Sequence, residues 1–371
     1  MSESEEIEGN GPYQILSPDG TAHLGRAEIG LKDADLRKLL RLMCVARALD
    51  DECVRMHTDG ELLVYPPLRG QEAAQVGSAF ALARNDFVFP SFREMAVALV
   101  RGVDPVEYLQ YHRGTWHGGP YDPIANRFAP ICVPLANQIV HAVGYAIGMK
   151  MRRRSVVTVA YFGDGSASEG DFHEACNWVS VHRAPVVLLC QNNRWAISVP
   201  FEEQAAAPIW TRARGYGFSG VQVDGNDVLA VLQVTKEAAA RARAGGGPTL
   251  IEALTYRMGP HLTNDEPSRY RSDDEVGRWQ ELDPIERFRT YLLTEGTVSE
   301  KAAAAMDSAA VAFAREIRLR VAQFPPAGPD EVFEWVFDGP TLDMLRQQHL
   351  ASPRAAAAGP TEALGAEPPD G

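Results

Sequence analysis

Two short polar clusters hold the side chains best suited to chemistry in this sequence. Asp164 lies in the segment Gly163-Asp164-Gly165, and Asn192-Asn193 follows after residues 166–191, an interval of 26 residues. Carboxylate and amide oxygens are hard ligands of the kind Mg²⁺ prefers, and Mg²⁺ takes its other ligands from phosphate and water. The glycines beside Asp164 let backbone N–H groups approach a diphosphate. The two clusters therefore predict a magnesium and diphosphate site, provided that the fold brings them together.

The elements around the clusters predict that they meet. Residues 155–162 form a continuous β-branched and aromatic run, a helical stretch covers 172–181, and residues 185–191 form a second apolar run. A strand, a helix and a strand with one crossover make a parallel βαβ unit of roughly 30 residues. Ligands of open α/β sheets lie at the carboxyl ends of such strands. Asp164 and one of the asparagines should therefore lie side by side.

Further segments extend this unit into an α/β fold. We predict a doubly wound, mostly parallel sheet with helices on both faces. The additional predicted elements are a short strand and turn at 87–94, strands at 217–225 and 248–257, and helices at 33–60 with Asp33 as N-cap, 71–83, 138–150 and 227–243. The segment GYGFSG (215–220) fits the dinucleotide fingerprint, but that motif must follow a strand and open a helix. This one leads into a strand, so we predict a loop, and no P-loop sequence is present.

Composition divides the chain into three parts and limits its partners. Residues 1–30 indicate an N-terminal arm, 31–345 a globular domain, and 351–371, rich in Ala, Pro and Gly, a disordered tail. The acidic start is unlike a signal peptide, and no apolar run approaches the roughly 18 residues of a membrane span. We therefore predict a cytoplasmic protein that binds no membrane. The net charge of −13 argues against nucleic acid.

The five cysteines are odd in number and form no CxxC pair. A disulfide framework or a zinc site is therefore not expected. The acidic net charge also means that a phosphate ligand must be held by locally placed cations or by backbone N–H groups.

Longer segments carry a resemblance to a known family. They are RGQEAAQVG (69–77), YFGDGSASEGDFHEACNW (161–178), QNNRWAISVP (191–200), VDGNDV (223–228) and YRMGPHLTNDEPSRYR (256–271). Together with GDG and NN one βαβ period apart, which is the thiamine-diphosphate motif, they resemble the alpha subunits of heterotetrameric 2-oxo acid dehydrogenases. The resemblance covers about residues 31 to 345 and implies the thiamine-diphosphate-binding fold.

The resemblance also implies a reaction and partners. The reaction is oxidative decarboxylation of a branched-chain 2-oxo acid of the 2-oxoisovalerate type, with acyl transfer to lipoyl groups of an acyltransferase core. In this family the glutamate that activates the cofactor's pyrimidine ring belongs to a beta subunit. The chain should therefore act only in an α2β2 heterotetramer.

Individual site residues follow from the same resemblance. Asp164 and Asn193 would bind Mg²⁺ through their side chains, and Trp195 would bind it through its backbone carbonyl. Arg93 would hold the diphosphate as a bidentate cation. A lone histidine is more often structural, but His261 follows Gly-Pro on an exposed, polar loop and matches the active-site histidine that also contacts the cofactor. The remaining implied cofactor contacts are Phe92, Val133, Leu135, Gly165, Ser166 and Gln191.

Several positions depart from the family pattern. Phe92 stands in place of a tyrosine, Gln191 in place of an arginine of the animal branched-chain enzymes, and Leu262 in place of their phosphorylated serine. Inhibition by phosphorylation therefore cannot operate at Leu262. Cys132 and Asn137 replace hydroxyl residues of a potassium site found in some members, which leaves K⁺ binding open.

Alternatives also remain open at this point. The segment RGTWHGGPYD (113–122) differs from the family's usual one, which leaves the substrate and the role of His117 undecided. Alpha subunits of pyruvate or acetoin dehydrogenase are the other enzymes that fit. A scaffold protein that binds a magnesium nucleotide is the alternative outside enzymes.

Overall fold

The computed structural model describes residues 11–114, 119–326, 328, 331–334 and 337–351. His117 and residues 352–371 of the predicted tail lie outside the described residues. Within the described part, no helix is long and apolar enough to cross a membrane.

A parallel sheet of five strands, in the order β1-β2-β3-β7-β6, forms the centre of the fold, and β4 and β5 pair separately as a short antiparallel ladder. The strands are β1 (Phe87–Phe89), β2 (Thr158–Gly163), β3 (Val186–Asn192), β4 (Trp195–Ala196), β5 (Val199–Pro200), β6 (Ser219–Asp224) and β7 (Thr249–Leu254). The predicted βαβ unit is confirmed, because β2 and β3 lie side by side in parallel.

Helices surround the sheet. In the first half of the chain they are α1 (Arg26–Ile29), α2 (Asp33–Thr58), α3 (Glu72–Phe80), α4 (Met95–Arg101), α5 (Pro105–Arg113), α6 (Pro123–Asn126), α7 (Asn137–Met151) and α8 (Gly170–Val181). In the second half they are α9 (Phe201–Gln204), α10 (Arg212–Gly215), α11 (Val228–Arg243), α12 (Asp273–Gln280), α13 (Pro284–Thr294), α14 (Glu300–Gln323), α15 (Glu331–Glu334) and α16 (Leu342–Ala351).

Alternating side chains of the strands supply two separate cores. Val159 and Tyr161 of β2 pack into one core with α2, α3, α11 and α14, whereas Ala160 and Phe162 pack into a second core with α7 and α8. Successive residues of a strand point to opposite faces, so a sheet buried on both faces reads as a continuous apolar run. The doubly wound architecture predicted from those runs is confirmed.

Several element ends differ by a few residues from the sequence predictions, including the start of α2 and the end of α3. Lys32, not Asp33, is the N-cap of α2, and Asp33 is instead an acidic residue of the first turn, where the helix dipole favours negative charge. α3 ends at Phe80, before the predicted Ala83. The segment GYGFSG leads from α10 into β6, as a loop should, so it is not a dinucleotide fingerprint.

The first described residues pack against the edge of the sheet. Tyr13 forms a parallel bridge with Val223 of β6, and the N–H groups of Ile15 and Leu16 donate to Asp227 Oδ2 at 2.7 and 2.6 Å. Asp227 also caps α11, because its Oδ1 accepts from Leu229 N and Ala230 N. One carboxylate thus joins the N-terminal segment to the helix that covers the sheet.

Candidate active site

The two polar clusters meet at the carboxyl ends of β2 and β3. Asp164 begins a 3₁₀ turn (Asp164–Ser168) directly after β2, and Asn193 follows the last residue of β3. Both side chains are buried, and Asn193 N donates to Asp164 Oδ1 at 3.3 Å. Asp164 Oδ2 accepts from Gln204 Nε2 at 3.2 Å. Burial raises the pKa of Asp164 to about 6, because the hydrogen bonds that it accepts and the charge of Arg257 compensate only partly for the lost water.

The turn after β3 has an unusual backbone. Arg194 adopts φ +72°, in the left-handed region that residues other than glycine rarely occupy. Asn193 Oδ1 accepts from Trp195 N at 3.3 Å, and Asn193 Nδ2 donates to Gln71 Oε1 at 3.3 Å. The amide oxygen of Asn193 is therefore turned toward the same loop as the Trp195 carbonyl.

The side chain of Trp195 fixes this turn from outside. Its indole N–H donates to Glu275 Oε1 at 3.0 Å, and Tyr256 OH donates to the same oxygen at 2.7 Å. Tyr256 stacks on Trp279, with the ring centroids 5.1 Å apart. These contacts attach α12 to the turn that presents the Trp195 carbonyl.

Two glycines of the site are required by close packing. A Cβ atom on Gly165 would lie 2.9 Å from Ala196 Cβ, so the 3₁₀ turn can approach β4 only without a side chain here. Gly70, with φ +95°, lies so close to β7's exit that a Cβ atom would meet Tyr256 O at 2.3 Å. Gly70 therefore allows the loop that carries Gln71 to approach the sheet edge.

Two buried guanidinium groups, those of Arg93 and Arg257, lie against His261. Arg93 donates to Pro67 O at 2.6 Å, and Arg257 donates to Trp195 O at 3.3 Å and to Ile197 O at 2.7 Å. Neither side chain forms an ion pair with a carboxylate among the described residues. Burial and the nearby Arg257 lower the pKa of Arg93 to about 10, and burial lowers that of Arg257 as well. Such a pair favours the binding of an anion.

His261 lies between the two arginines. Its Nδ1 is 3.3 Å from Arg93 Nη2 and 3.3 Å from Arg257 Nη1, and its carbonyl accepts from Arg93 at 3.0 Å. A guanidinium can only donate, so Nδ1 accepts and the proton of the neutral ring is on Nε2. Burial, followed by the charges of Arg93 and Arg257, lowers the pKa of His261 to about 3. The ring is therefore neutral at physiological pH.

The charge of Arg257 should be measurable in the titration of His261. Arg257→Met removes the charge and keeps the approximate length, so we expect the pKa of His261 to rise toward its ordinary value but to stay below it, because burial and Arg93 remain. Arg257→Lys keeps the charge and is the matched control. Hydrogen exchange at the imidazole C2 position, followed by mass spectrometry across pH, measures this pKa. An unchanged titration in Arg257→Met would contradict the assignment.

The lowered pKa of His261 also makes the free energy of unfolding depend on pH. Because its pKa is lower in the folded chain than in the unfolded chain, this group contributes stability above about pH 6.5 that is lost as the pH falls toward about 3.

Hydrogen bonds determine the course of the loop after Gly259. Asp265 Oδ2 accepts from His261 N at 2.9 Å and from Tyr270 OH, and Thr263 exchanges hydrogen bonds with the backbone of Tyr65. Tyr270 OH in turn accepts from Arg257 at 2.9 Å. The position of His261 thus depends on Asp265, Tyr270 and Arg257 together.

The other predicted cofactor contacts differ in burial: some lie inside the site and others are exposed. The ring of Phe92 meets His261 edge-on, with centroids 5.8 Å apart, and Ser166 is buried in the 3₁₀ turn. Gln191 Nε2 donates to Glu94 at 2.7 Å, so this amide is committed to a neighbouring acid. Val133 and Leu135 are exposed, by 47% and 43%, which leaves both apolar side chains available to a ligand or a partner.

The donor set fits a metal that takes few protein ligands. Among the described residues, no group of three or more His, Cys, Asp or Glu side chains could hold a metal ion. Asp164, Asn193 and the Trp195 carbonyl instead offer oxygen ligands, and Arg257 lies beside the last of them. Mg²⁺ prefers oxygen ligands and often binds with phosphate. The residues present therefore fit Mg²⁺ together with a diphosphate.

Three polar residues of the site were not singled out from the sequence. Gln71 and Gln204 hydrogen-bond to Asn193 and Asp164, and Arg257 supports His261. The glutamines gave no usable signal, because they come from distant segments. Arg257 did give a signal, since an arginine at the end of a predicted buried strand needs a partner or a ligand.

The chain is similar to known proteins of one family. The family described as "Dehydrogenase E1 component" matches residues 40–323. The chain is 48% identical over 341 residues to the 3-methyl-2-oxobutanoate dehydrogenase subunit alpha of Mycobacterium tuberculosis, which covers 91% of this chain and 93% of that relative.

Two relatives from Bacillus subtilis are also similar. The 2-oxoisovalerate dehydrogenase subunit alpha is 37% identical, over 83% of this chain and 97% of the relative. The pyruvate dehydrogenase E1 component subunit alpha is 39% identical, over 78% of each chain.

Proposed function

Because the chain belongs to the Dehydrogenase E1 component family, we propose that it is the alpha subunit of a branched-chain 2-oxo acid dehydrogenase and holds the magnesium-diphosphate end of thiamine diphosphate. The chain is thus part of a 2-oxo acid dehydrogenase and works with a beta subunit and an acyltransferase. The single observation that carries the site assignment is the meeting of Asp164 and Asn193 beside Arg257.

Each residue of the site has a distinct task in this proposal. Asp164, Asn193 and the Trp195 carbonyl would hold Mg²⁺, and Gln71 and Gln204 would orient the two side-chain ligands. Arg93 and Arg257 would neutralise the diphosphate. Gly165 would let the 3₁₀ turn approach it. Phe92 and Ser166 would line the same end of the cofactor.

When bound, the cofactor supplies the electron sink for loss of carbon dioxide from the 2-oxo acid. His261 contributes a neutral ring with its proton on Nε2, which can donate a hydrogen bond to a developing negative charge. Before the cofactor binds, Arg257 holds this ring and Asp265 holds the backbone N–H of His261. The acid that activates the pyrimidine end would come from the beta subunit, so we expect an α2β2 assembly.

The relatives' names favour a branched-chain substrate. Those at 48% and 37% identity, which cover at least 83% of the chain, carry the names of branched-chain enzymes. The pyruvate enzyme is similar over a shorter part, 78%. We therefore propose 2-oxoisovalerate as the type of substrate, with pyruvate as the second candidate. Leu262 would free this enzyme from control by phosphorylation at that position.

Activity of the two-chain enzyme tests this proposal. The coexpressed alpha and beta chains should oxidise 2-oxoisovalerate, with loss of carbon dioxide, at a kcat/KM at least about 10-fold above that for pyruvate, since each methyl group in an apolar pocket contributes roughly 10–200-fold. Oxidative cleavage of acetoin should be at least as slow as the reaction of pyruvate. Reduction of an artificial electron acceptor measures the rates. The alpha chain alone should be inactive. Robust decarboxylation by the alpha chain alone would sink the proposal, and a preference for pyruvate would favour the second candidate.

A further inference from the structure

Glu252 is a buried acid for which the proposed mechanism has no use. It lies within β7, is fully buried, and pairs across the sheet with Cys190 of β3 and Gln222 of β6. The surrounding residues of β7 are mainly apolar. A carboxylate in such a strand loses its hydration, so its presence calls for a physical reason.

The hydrogen-bond partners of Glu252 among the described residues are all uncharged. Its Oε1 accepts from Asn192 Nδ2 at 2.7 Å, and its Oε2 accepts from Trp210 N and from Gln222 Nε2, both at 3.2 Å. Neutral donors compensate only partly for the desolvation of an ionised group. The shortest of these contacts leads to Asn192, the residue directly before the proposed metal ligand Asn193.

The carboxylate determines which way the Asn192 amide faces. Because a carboxylate can only accept, Nδ2 of Asn192 must point toward Glu252 and Oδ1 must point away. Oδ1 then accepts from Arg194 N at 3.1 Å. Arg194 is the residue held at φ +72°, a conformation that persists only where surrounding contacts impose it. Asn192 supplies one such contact.

The exit of β7 holds the same turn from its other side. Thr255 N donates to the Asn192 carbonyl at 2.9 Å, and Arg257 N donates to the Asn193 carbonyl at 3.2 Å. Arg194 lies between Asn193 and Trp195, so its backbone conformation sets how far apart the amide oxygen of Asn193 and the carbonyl of Trp195 lie.

We propose that Glu252 is a positioning residue for the metal: through Asn192 it holds the Arg194 turn in the shape that presents Asn193 and the Trp195 carbonyl at a spacing suited to Mg²⁺. This inference rests on the proposed function, because it takes Mg²⁺ to bind between Asp164 and Asn193. Mg²⁺ demands near-ideal octahedral geometry, whereas Ca²⁺ accepts longer and more variable distances. A loosened turn should therefore lose affinity for Mg²⁺ and lose discrimination against Ca²⁺.

The test uses the assembled two-chain enzyme with saturating thiamine diphosphate and titrated metal. In Glu252→Gln one oxygen acceptor becomes a donor, so the Asn192 amide is no longer fixed. We expect the apparent Kd for Mg²⁺ to rise about 10-fold or more, as for other residues that orient a metal ligand. The ratio of Ca²⁺ to Mg²⁺ affinity should rise as well. At saturating Mg²⁺, kcat should stay within about twofold of the wild type, because the ligands themselves are intact.

Gln222→Ala is the matched control, because it removes a different donor from the same carboxylate and leaves Asn192 in place. It should keep the metal affinity and selectivity of the wild type. Asn192→Ala should reproduce the effect of Glu252→Gln, and the double variant should be no worse than Asn192→Ala alone. If Glu252→Gln does not fold, Asn192→Ala against Gln222→Ala decides the question.

Two results would overturn the inference. One is wild-type metal affinity and selectivity in Glu252→Gln or, where that variant does not fold, in Asn192→Ala. The other is an equal loss in Gln222→Ala, which would make the role of Glu252 structural. Failure of the proposed function is distinguishable, because the wild-type enzyme itself would then show no magnesium-dependent binding of thiamine diphosphate.

Discussion

Asp164→Asn is expected to abolish magnesium-dependent cofactor binding in the assembled enzyme. The substitution keeps the shape of the side chain but removes the one carboxylate of the proposed donor set. Residues that only orient a metal ligand typically cost 10–100-fold in affinity, so losing the charged ligand itself should cost roughly 1000-fold or more. Titration of thiamine diphosphate with and without Mg²⁺ measures the loss. Asp171→Asn, at an exposed acid of α8, is the control and should bind normally.

The same variant should leave the metal-free protein at least as stable as the wild type. The pKa of Asp164 is raised to about 6 by burial, which means that its ionised form opposes folding at neutral pH. Removing the charge removes this cost. In the wild type, Mg²⁺ affinity should fall as the pH drops through about 6, because the proton and the metal compete for the carboxylate. A lower melting temperature of metal-free Asp164→Asn would show that the acid has a structural role instead.

His261→Ala should lower turnover while leaving the cofactor in place. A positioned proton donor contributes about 10²–10⁴-fold to rate, so a loss of that order is expected in kcat. The neutral ring brings no charge to the diphosphate, and its removal frees N–H groups of Arg93 and Arg257. Cofactor affinity should therefore change far less than in Asp164→Asn. Overall complex activity and cofactor titration, measured side by side, separate the two effects.

An exposed histidine provides the control for this variant. His182→Ala should have the turnover of the wild type, since His182 lies at the end of α8, away from the site. Near-normal turnover in His261→Ala would assign this histidine a structural role.

The sheet could be predicted from the sequence because a strand that is buried on both faces is a continuous run of apolar residues. The apolar runs at 155–162 and 185–191 correspond to β2 and β3. Asp164 and Asn193 follow the ends of these neighbouring strands and lie in contact. Parallel strands have one carboxyl edge, so residues that follow neighbouring strands must meet there. Helix α2 could also be predicted, although its N-cap was placed one residue late.

The rest of the site depends on contacts that no local pattern encodes. Arg93 and His261 are 168 residues apart in the chain, yet they share a hydrogen bond. Gln71 reaches Asn193 across 122 residues. Helix α14 was missed for a different reason. Helix α14 buries only small or scattered side chains such as Ala303, Ala310 and Ala314, which give a weak amphipathic signal.

The position of His261 between two guanidinium groups has a kinetic consequence. Its Nδ1 and carbonyl already accept N–H groups of Arg93 and Arg257 that an incoming diphosphate needs. A ligand that arrives as its magnesium complex would therefore first meet the site through the metal, at the oxygen atoms of Asp164 and Asn193, and then take over these donors as the ring withdraws. Such an exchange makes association a two-step process, whose observed rate levels off at high ligand concentration. The histidine would thus determine how fast the enzyme loads, independently of how tightly it holds what it has loaded.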